Sequence, residues 1–195
     1  IDITNNSFNS ITVDGDTSTS DTVMLVSTNE ASHSLINKAD DPRIKSLKNA
    51  LNDVAIDLAK QIVQDGEGAT KFVEISVTRA KNKDIATNIA KSVANSPLVK
   101  TAIYGEDPNW GRIIAAIGKS YETINHESLR LFFGEHKIIS KGMVLDNYNE
   151  EIVMQYMKKD EIQIIIDLGM GSCDHTVWTC DFSHKYIDIN TDYRS

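Results

Sequence analysis

The spacing of apolar residues predicts helices and strands along the whole chain. The clearest helix begins at Asp41-Pro42, where an acid in the N-cap position precedes a proline at the first helical position. It ends near Gly66. Its apolar residues recur three and four positions apart, which predicts one buried face made of Ile44, Leu47, Leu51, Val54, Leu58 and Ile62.

Strands are predicted where apolar residues alternate with polar ones or form short runs. Val73, Ile75 and Val77 alternate as in a strand with one buried face. Short apolar runs predict further strands at residues 10–13, 22–26, 100–104, 162–168, 177–181 and 187–189, and a hairpin of residues 129–133 and 137–139. Further helices are predicted at residues 84–94, 111–118 and 149–159. Such a mixture indicates an α/β or α+β protein.

Composition and charge narrow the class of protein. The 195 residues are 41% hydrophobic and 25% charged, which suits one globular domain, or one domain with a smaller lobe. No apolar run approaches the ~18 residues of a membrane span, and no signal peptide is visible at the N-terminus. The net charge of −8 argues against nucleic-acid binding and favours a small cationic or zwitterionic ligand.

Four residues near the C-terminus are of the types that bind zinc, namely Cys173, His175, Cys180 and His184. Their spacing lacks the Cys-x2-Cys pattern of common zinc sites, and residues 177–182 resemble a strand, so we expect no metal. Two cysteines do not form a disulfide framework, and reduced thiols indicate the cytoplasm. Composition and periodicity alone do not identify a reaction.

Four sequence blocks carry a resemblance to a known family. They are residues 7–21 (SFNSITVDGDTSTSD), 65–72 (DGEGATKF), 107–113 (DPNWGRI), and 178–181 (WTCD) with 186–195 (YIDINTDYRS). In this order they resemble the β chain of the bifunctional ornithine acetyltransferase/glutamate N-acetyltransferases of arginine biosynthesis, over nearly the whole chain. Ser20 stands where the family usually has asparagine, and Thr191 where it usually has alanine.

The resemblance implies a reaction and partners. Members of the family cut their own precursor before a threonine, which then carries the acetyl group from N-acetylornithine to glutamate without a metal or an organic cofactor. Some members also use acetyl-CoA. The family's Thr-Met-Leu start matches no position here, so we expect the nucleophile upstream of Ile1 and no catalytic residue in this chain. The expected partners are the α chain of the same precursor and further αβ units, as α2β2 or larger.

The resemblance also implies substrate-binding residues, namely Glu67, Asn190 and Ser195. Judged on sequence alone, Glu67 resembles an exposed loop acid, Asn190 the end of a strand, and Ser195 a frayed terminus. The flanking glycines of Glu67 allow a tight bend, and its carboxylate suits the ammonium of ornithine. The fold implied is two facing sheets between helices with a smaller C-terminal α/β lobe. We place the boundary near Arg79, between residues 1–79 and 80–195.

Two other functions are compatible with the sequence. The same scaffold serves related acetyltransferases of secondary metabolism that use a different acceptor. A non-catalytic structural or regulatory domain is the alternative from another class, because no nucleophile is identified in the chain. The gene region upstream of Ile1 discriminates between them, since a Thr-Met-Leu junction after an α-chain coding region supports the enzyme.

Overall fold

The structure is a computed structural model that describes residues 2–38 and 40–192. The helices found in these residues are α1 (Asp2–Asn5), α2 (Pro42–Gln64), α3 (Lys83–Ala94), α4 (Pro97–Tyr104), α5 (Trp110–Lys119), α6 (Glu150–Met157) and α7 (His184–Asp192). The strands are β1 (Phe72–Ala80), β2 (Arg130–Phe133), β3 (His136–Ser140), β4 (Met143–Val144), β5 (Glu161–Asp167) and β6 (Cys173–Cys180).

The six strands form a mixed sheet in the order β4-β3-β2-β5-β1-β6. β1 pairs in parallel with β5 and antiparallel with β6, so the longest strand lies between two others. β2 and β3 form the hairpin that the sequence predicts around Gly134. The mixed α/β class is confirmed, whereas the second facing sheet and the boundary near Arg79 stay predictions.

One face of the sheet carries the main hydrophobic core. Val73, Ile75 and Val77 of β1 are fully buried, which confirms the alternation predicted for this strand. α3 and α5 cover this face, and α3 contributes Ile89 and Val93 to the core. The other face is more polar: the carboxylate of Glu74 accepts hydrogen bonds from Gln163 and from the indole of Trp178.

Four predicted strands are wrong, three of which have another structure or a single bridge in their place. Residues 100–104 belong to helix α4, which begins where the side chain of Ser96 accepts a hydrogen bond from the backbone N–H of Val99 and Pro97 occupies the first turn. Residues 187–189 lie inside helix α7. Within residues 10–13 the pairing is a single bridge between Ile11 and Trp178. A short apolar run is compatible with a strand or a helix, and at residues 100–104 the N-cap formed by Ser96 favours the helix.

The apolar face predicted for α2 is not buried within the described residues. Leu47, Val54, Leu58 and Ile62 are exposed and form what we call the apolar stripe of α2. The helix buries a different side, made of Ala55, Ala59 and Val63. The strand predicted at residues 22–26 is also absent from this part of the chain, and its apolar residues Val23, Met24, Leu25 and Val26 are exposed. No helix in the described ranges is both long and apolar enough to cross a membrane.

Candidate binding site

Two of the residues expected to bind substrate lie in contact. Glu67 lies in the turn between α2 and β1, and Asn190 lies in the last turns of α7. The side-chain Nδ2 of Asn190 donates a hydrogen bond of 2.7 Å to Oε2 of Glu67. The third residue, Ser195, lies outside the described residues.

The turn that carries Glu67 lies directly against the start of α7. Gly68 has a φ of +70°, and a Cβ atom at this position would lie 2.5 Å from the backbone nitrogen of Tyr186. The hydroxyl of Ser183 donates a hydrogen bond of 2.5 Å to the carbonyl of Gly68. Both the left-handed backbone and the close approach therefore require glycine, as the flanking glycines of Glu67 suggest.

A buried carboxylate fixes the far side of the same turn. One oxygen of Asp181 accepts hydrogen bonds from the backbone N–H groups of Thr70 and Lys71, both at 2.8 Å. Its other oxygen accepts from the Thr70 hydroxyl at 2.6 Å. Asp181 is 1% exposed, so these bonds compensate its burial and tie the turn to the end of β6. Sequence reasoning missed this role, although an acid directly after a buried strand was the available signal.

The amide of Asn190 has a defined orientation. Its Nδ2 atom donates both to Glu67 and, at 2.9 Å, to the carbonyl oxygen of Tyr186. The flipped amide would place an oxygen against two acceptors, which is unfavourable. Both amide hydrogens are therefore engaged, and the group that Asn190 offers a ligand is its Oδ1 acceptor.

Tyr186 links α7 to the loop after Ile11. Its hydroxyl donates a hydrogen bond of 3.0 Å to Oδ2 of Asp14. Burial, together with this hydrogen bond and the negative charges of Asp14, Glu67 and Asp16, raises the pKa of Tyr186 to about 12. We call Glu67, Asn190, Tyr186 and Asp14 the acceptor corner, because carboxylate, amide and carbonyl oxygens dominate it. Such a corner suits a cationic ligand group.

The cysteine and histidine residues do not form a comparable site. Cys173 and Cys180 stand at opposite ends of β6, about 23 Å apart at about 3.3 Å per residue, so one ion cannot contact both. The Oγ of Ser10 lies 3.1 Å from Nε2 of His175 and donates to the carbonyl of Asn5 at 2.6 Å. Because the hydroxyl proton of Ser10 lies in the hydrogen bond to Asn5, Nε2 of His175 donates to Ser10. His175 therefore does not act as a base for Ser10.

The fold and the acceptor corner together define a mixed α/β protein with a small polar corner rich in hydrogen-bond acceptors. Residues 2–195 match the ArgJ family. The chain therefore belongs to the ArgJ family.

Relatives with similar sequences are arginine biosynthesis bifunctional proteins ArgJ. That of Ruegeria pomeroyi is 50% identical over 193 residues, which cover 99% of this chain and 46% of the relative. That of Zymomonas mobilis is 47% identical over 189 residues, which cover 97% of this chain and 46% of the relative. This chain thus spans about half the length of these relatives.

A solved structure has the same fold. The crystal structure of the arginine biosynthesis bifunctional protein argJ from Bacillus halodurans superposes with a TM-score of 0.93 at 40% sequence identity. The match covers 98% of this chain and 90% of that chain. The arrangement of helices and strands described above is therefore that of a solved family member.

Proposed function

We propose that this chain is the substrate-binding part of an enzyme that transfers an acetyl group from N-acetylornithine to glutamate in arginine biosynthesis. The observation that carries the proposal is the contact between Glu67 and Asn190, two residues that the family resemblance assigns to the substrate. Family membership and the names of the relatives support the pathway. Acetyl-CoA serves as a second donor if the protein also initiates the pathway.

The proposed reaction proceeds in two acyl transfers. A threonine hydroxyl attacks the acetyl carbonyl of N-acetylornithine, the new C–O bond forms, and the C–N bond breaks as the ornithine amine takes up a proton. The amine of glutamate then attacks the acetyl-threonine ester, and the threonine oxygen regains its proton as the C–O bond breaks. We assign the threonine, and the donors that stabilise the oxyanion, to the part of the family protein that this chain does not span.

The acceptor corner would bind the cationic end of the donor. N-acetylornithine has its α-nitrogen acylated, so its positive charge lies on the δ-ammonium group. The carboxylate of Glu67 and the Oδ1 atom of Asn190 both accept hydrogen bonds, which matches an ammonium and not a carboxylate. The α-carboxylate of the substrate then needs donors from elsewhere in the enzyme.

Ser195 stays a predicted third substrate-binding residue. The side chain of Ser195 offers a hydroxyl, so Ser195→Ala in the assembled enzyme should impair acetyl transfer. Full activity of Ser195→Ala on N-acetylornithine and glutamate would refute this assignment.

We propose that the apolar stripe of α2 is covered by the α chain of the same precursor. The four residues of the stripe and the exposed apolar residues 23–26 belong to two segments that both line one cavity, with Val23, Met24, Leu58 and Ile62 at its wall. Adjacent apolar side chains of this kind are typical of a covered interface. The length of the relatives beyond this chain supplies a partner of sufficient size. The proposal also includes three properties that the family resemblance implies. They are self-cleavage of the precursor, paired αβ units and a cytoplasmic location.

Co-expression tests the proposed activity. The gene segment that encodes the upstream half is expressed with this chain as one precursor, and acetyl transfer from N-acetylornithine to glutamate is measured by mass spectrometry. We expect transfer by the assembled protein and none by the 195-residue chain alone. Transfer by the chain alone, or an assembled protein that binds N-acetylornithine without transferring acetyl, would contradict the proposal.

A pair of variants on α2 tests the proposed partner. Leu58→Asp places a charge in the apolar stripe and should reduce the yield of the assembled complex in size-exclusion chromatography, because the buried charge has no partner. Asn49→Asp adds the same charge at an exposed polar position on another side of the helix and should leave the yield unchanged. Equal yields from the two variants would argue against this surface as the interface.

A further inference from the structure

Lys100 is a buried lysine close to the acceptor corner. It belongs to α4 and is 1% exposed, although lysine side chains are seldom buried unless they are paired. No carboxylate in residues 2–38 and 40–192 lies within ion-pairing distance of its ammonium. A methionine would fill the same space at a lower cost of desolvation, so the contacts of the amine require an explanation.

The amine holds the end of β6. Its Nζ atom donates a hydrogen bond of 2.8 Å to the hydroxyl of Thr179 and another to the carbonyl oxygen of Cys180. The backbone carbonyl of Lys100 itself accepts a hydrogen bond from the N–H of Phe182. Three contacts, with Thr179, Cys180 and Phe182, therefore fix the stretch of chain that leads from β6 into α7.

The same amine also contacts the aromatic ring of Phe182, which lies just before α7. Nζ of Lys100 lies 4.6 Å from the centre of the Phe182 ring, a distance typical of a cation–π contact. The ring of Tyr186 stacks on the same Phe182 ring, with a centroid distance of 4.6 Å and an interplanar angle of 20°. The carbonyl of Tyr186 in turn accepts from Asn190. A continuous series of contacts thus runs from Lys100 to the acceptor corner.

We propose that Lys100 is a positioning residue that sets the place of α7, and through it of Asn190, against Glu67. The proposal rests on the proposed function for its catalytic consequence and on the contacts above for its structural one. Burial lowers the pKa of Lys100, while the neighbouring groups of Cys180, Asp181 and Asp14 oppose that change. The contacts of its Nζ atom assign it the role of donating hydrogen bonds to β6 and facing an aromatic ring, without touching substrate.

Three variants of the full-length enzyme test the proposal. Lys100→Met keeps the length of the side chain and removes the donors. Phe182→Leu keeps Lys100 and removes the aromatic ring that lies between Lys100 and Tyr186. It therefore tests the series of contacts even if Lys100→Met does not fold. Lys137→Met is the control, because the ammonium of Lys137 also faces an aromatic ring, that of Phe132 at 5.6 Å, but lies in β3, which three strands separate from β6.

Two measurements are made on each variant. Hydrogen exchange followed by mass spectrometry reports the protection of residues 184–192, and steady-state kinetics reports KM and kcat for N-acetylornithine. We expect Lys100→Met and Phe182→Leu to speed exchange in α7 and to raise KM roughly tenfold with a smaller change in kcat. Lys137→Met should change neither quantity.

The outcomes separate this inference from the proposed function. Exchange in α7 that stays at the wild-type rate in both test variants, or that rises equally in Lys137→Met, would overturn the role of Lys100. An unchanged KM despite faster exchange would overturn its link to the substrate. A wild-type enzyme that transfers no acetyl group would refute the proposed function, and the exchange measurement would still judge the positioning of α7.

Discussion

Asn190 and Glu67 are 123 residues apart in sequence, and the amide of the first donates a 2.7 Å hydrogen bond to the carboxylate of the second. The bond joins the end of α7 to the glycine-flanked turn before β1, and further hydrogen bonds hold both the helix and the turn in place. Tyr186 and the buried Asp181 supply those contacts. The relative position of the two side chains is therefore a property of the fold and not of flexible loops.

Replacement of Asn190 by aspartate should impair the enzyme more than replacement by alanine. Asn190→Asp removes both amide donors and places a second carboxylate beside Glu67, and two adjacent like charges repel. We expect kcat/KM for N-acetylornithine to fall about 10- to 150-fold, equivalent to about 1.5–3 kcal/mol for a hydrogen bond to a charged group.

The pH dependence of the aspartate variant provides the control. Two carboxylates in contact share a proton as the pH falls, which restores one hydrogen bond between them. The ratio of kcat/KM in Asn190→Asp to that in Asn190→Ala should therefore rise between about pH 7 and about pH 5.5. An aspartate variant as active as the wild type at neutral pH would show that the amide donors are dispensable.

Gly68→Ala should destabilise the protein. The alanine would have to adopt a φ of +70° and would bring its Cβ to 2.5 Å from the Tyr186 nitrogen. We expect a loss of about 1–3 kcal/mol from the backbone conformation alone, measured as the free energy of unfolding in urea. Gly118 lies in helix α5, and a Cβ added there would meet no neighbouring atom within 4 Å, so Gly118→Ala should stabilise the protein slightly. Equal effects of the two substitutions would contradict the close packing of the turn on α7.

The buried histidine of β6 should make stability depend on pH. Burial, followed by the positive charges of Lys83 and Lys91, lowers the pKa of His175 below its ordinary value of 6.5. The unfolded chain therefore takes up a proton at a higher pH than the folded protein does. The contribution of His175 to stability is present above about pH 6.5 and is lost as the pH falls through the folded pKa.

Urea unfolding between about pH 7 and about pH 5 measures this contribution. His175→Gln keeps an amide donor for the hydroxyl of Ser10 and should lose less stability than the wild type as the pH falls. His126→Gln removes an exposed histidine and should follow the wild-type profile. An identical pH profile for His175→Gln and the wild type would show that the histidine remains solvated.

The sequence predicts elements well where periodicity and caps agree. Helix α2 begins with Asp41 and Pro42 as expected, and β1 alternates as expected, because each carries its signal within its own residues. The runs at 100–104 and 187–189 are too short to distinguish a strand from a helix. Periodicity also identifies an apolar stripe on α2 without indicating which surface covers it.

The candidate site was predictable only in part. Glu67 and Asn190 came from the family resemblance, and neither spacing nor composition relates them. Tyr186 and Asp181 support them through contacts that join distant parts of the chain, so no local pattern reveals those roles. Lys100 begins a stretch that the sequence predicts as a strand, and no local pattern marks it; only its burial in the structure distinguishes it.

The most direct test compares two donors that differ only in the charged group. N-acetylnorvaline has the carbon skeleton of N-acetylornithine without the δ-ammonium. We expect the wild-type enzyme to prefer N-acetylornithine by about 10- to 150-fold in kcat/KM, because in our proposal Glu67 contacts the ammonium. In Glu67→Gln the preference should shrink towards unity through loss of activity on N-acetylornithine alone. Glu151→Gln, which removes an exposed acid at the start of α6, should retain the wild-type preference. A Glu67→Gln enzyme that keeps the full preference for N-acetylornithine would contradict the assignment of the acceptor corner to the substrate.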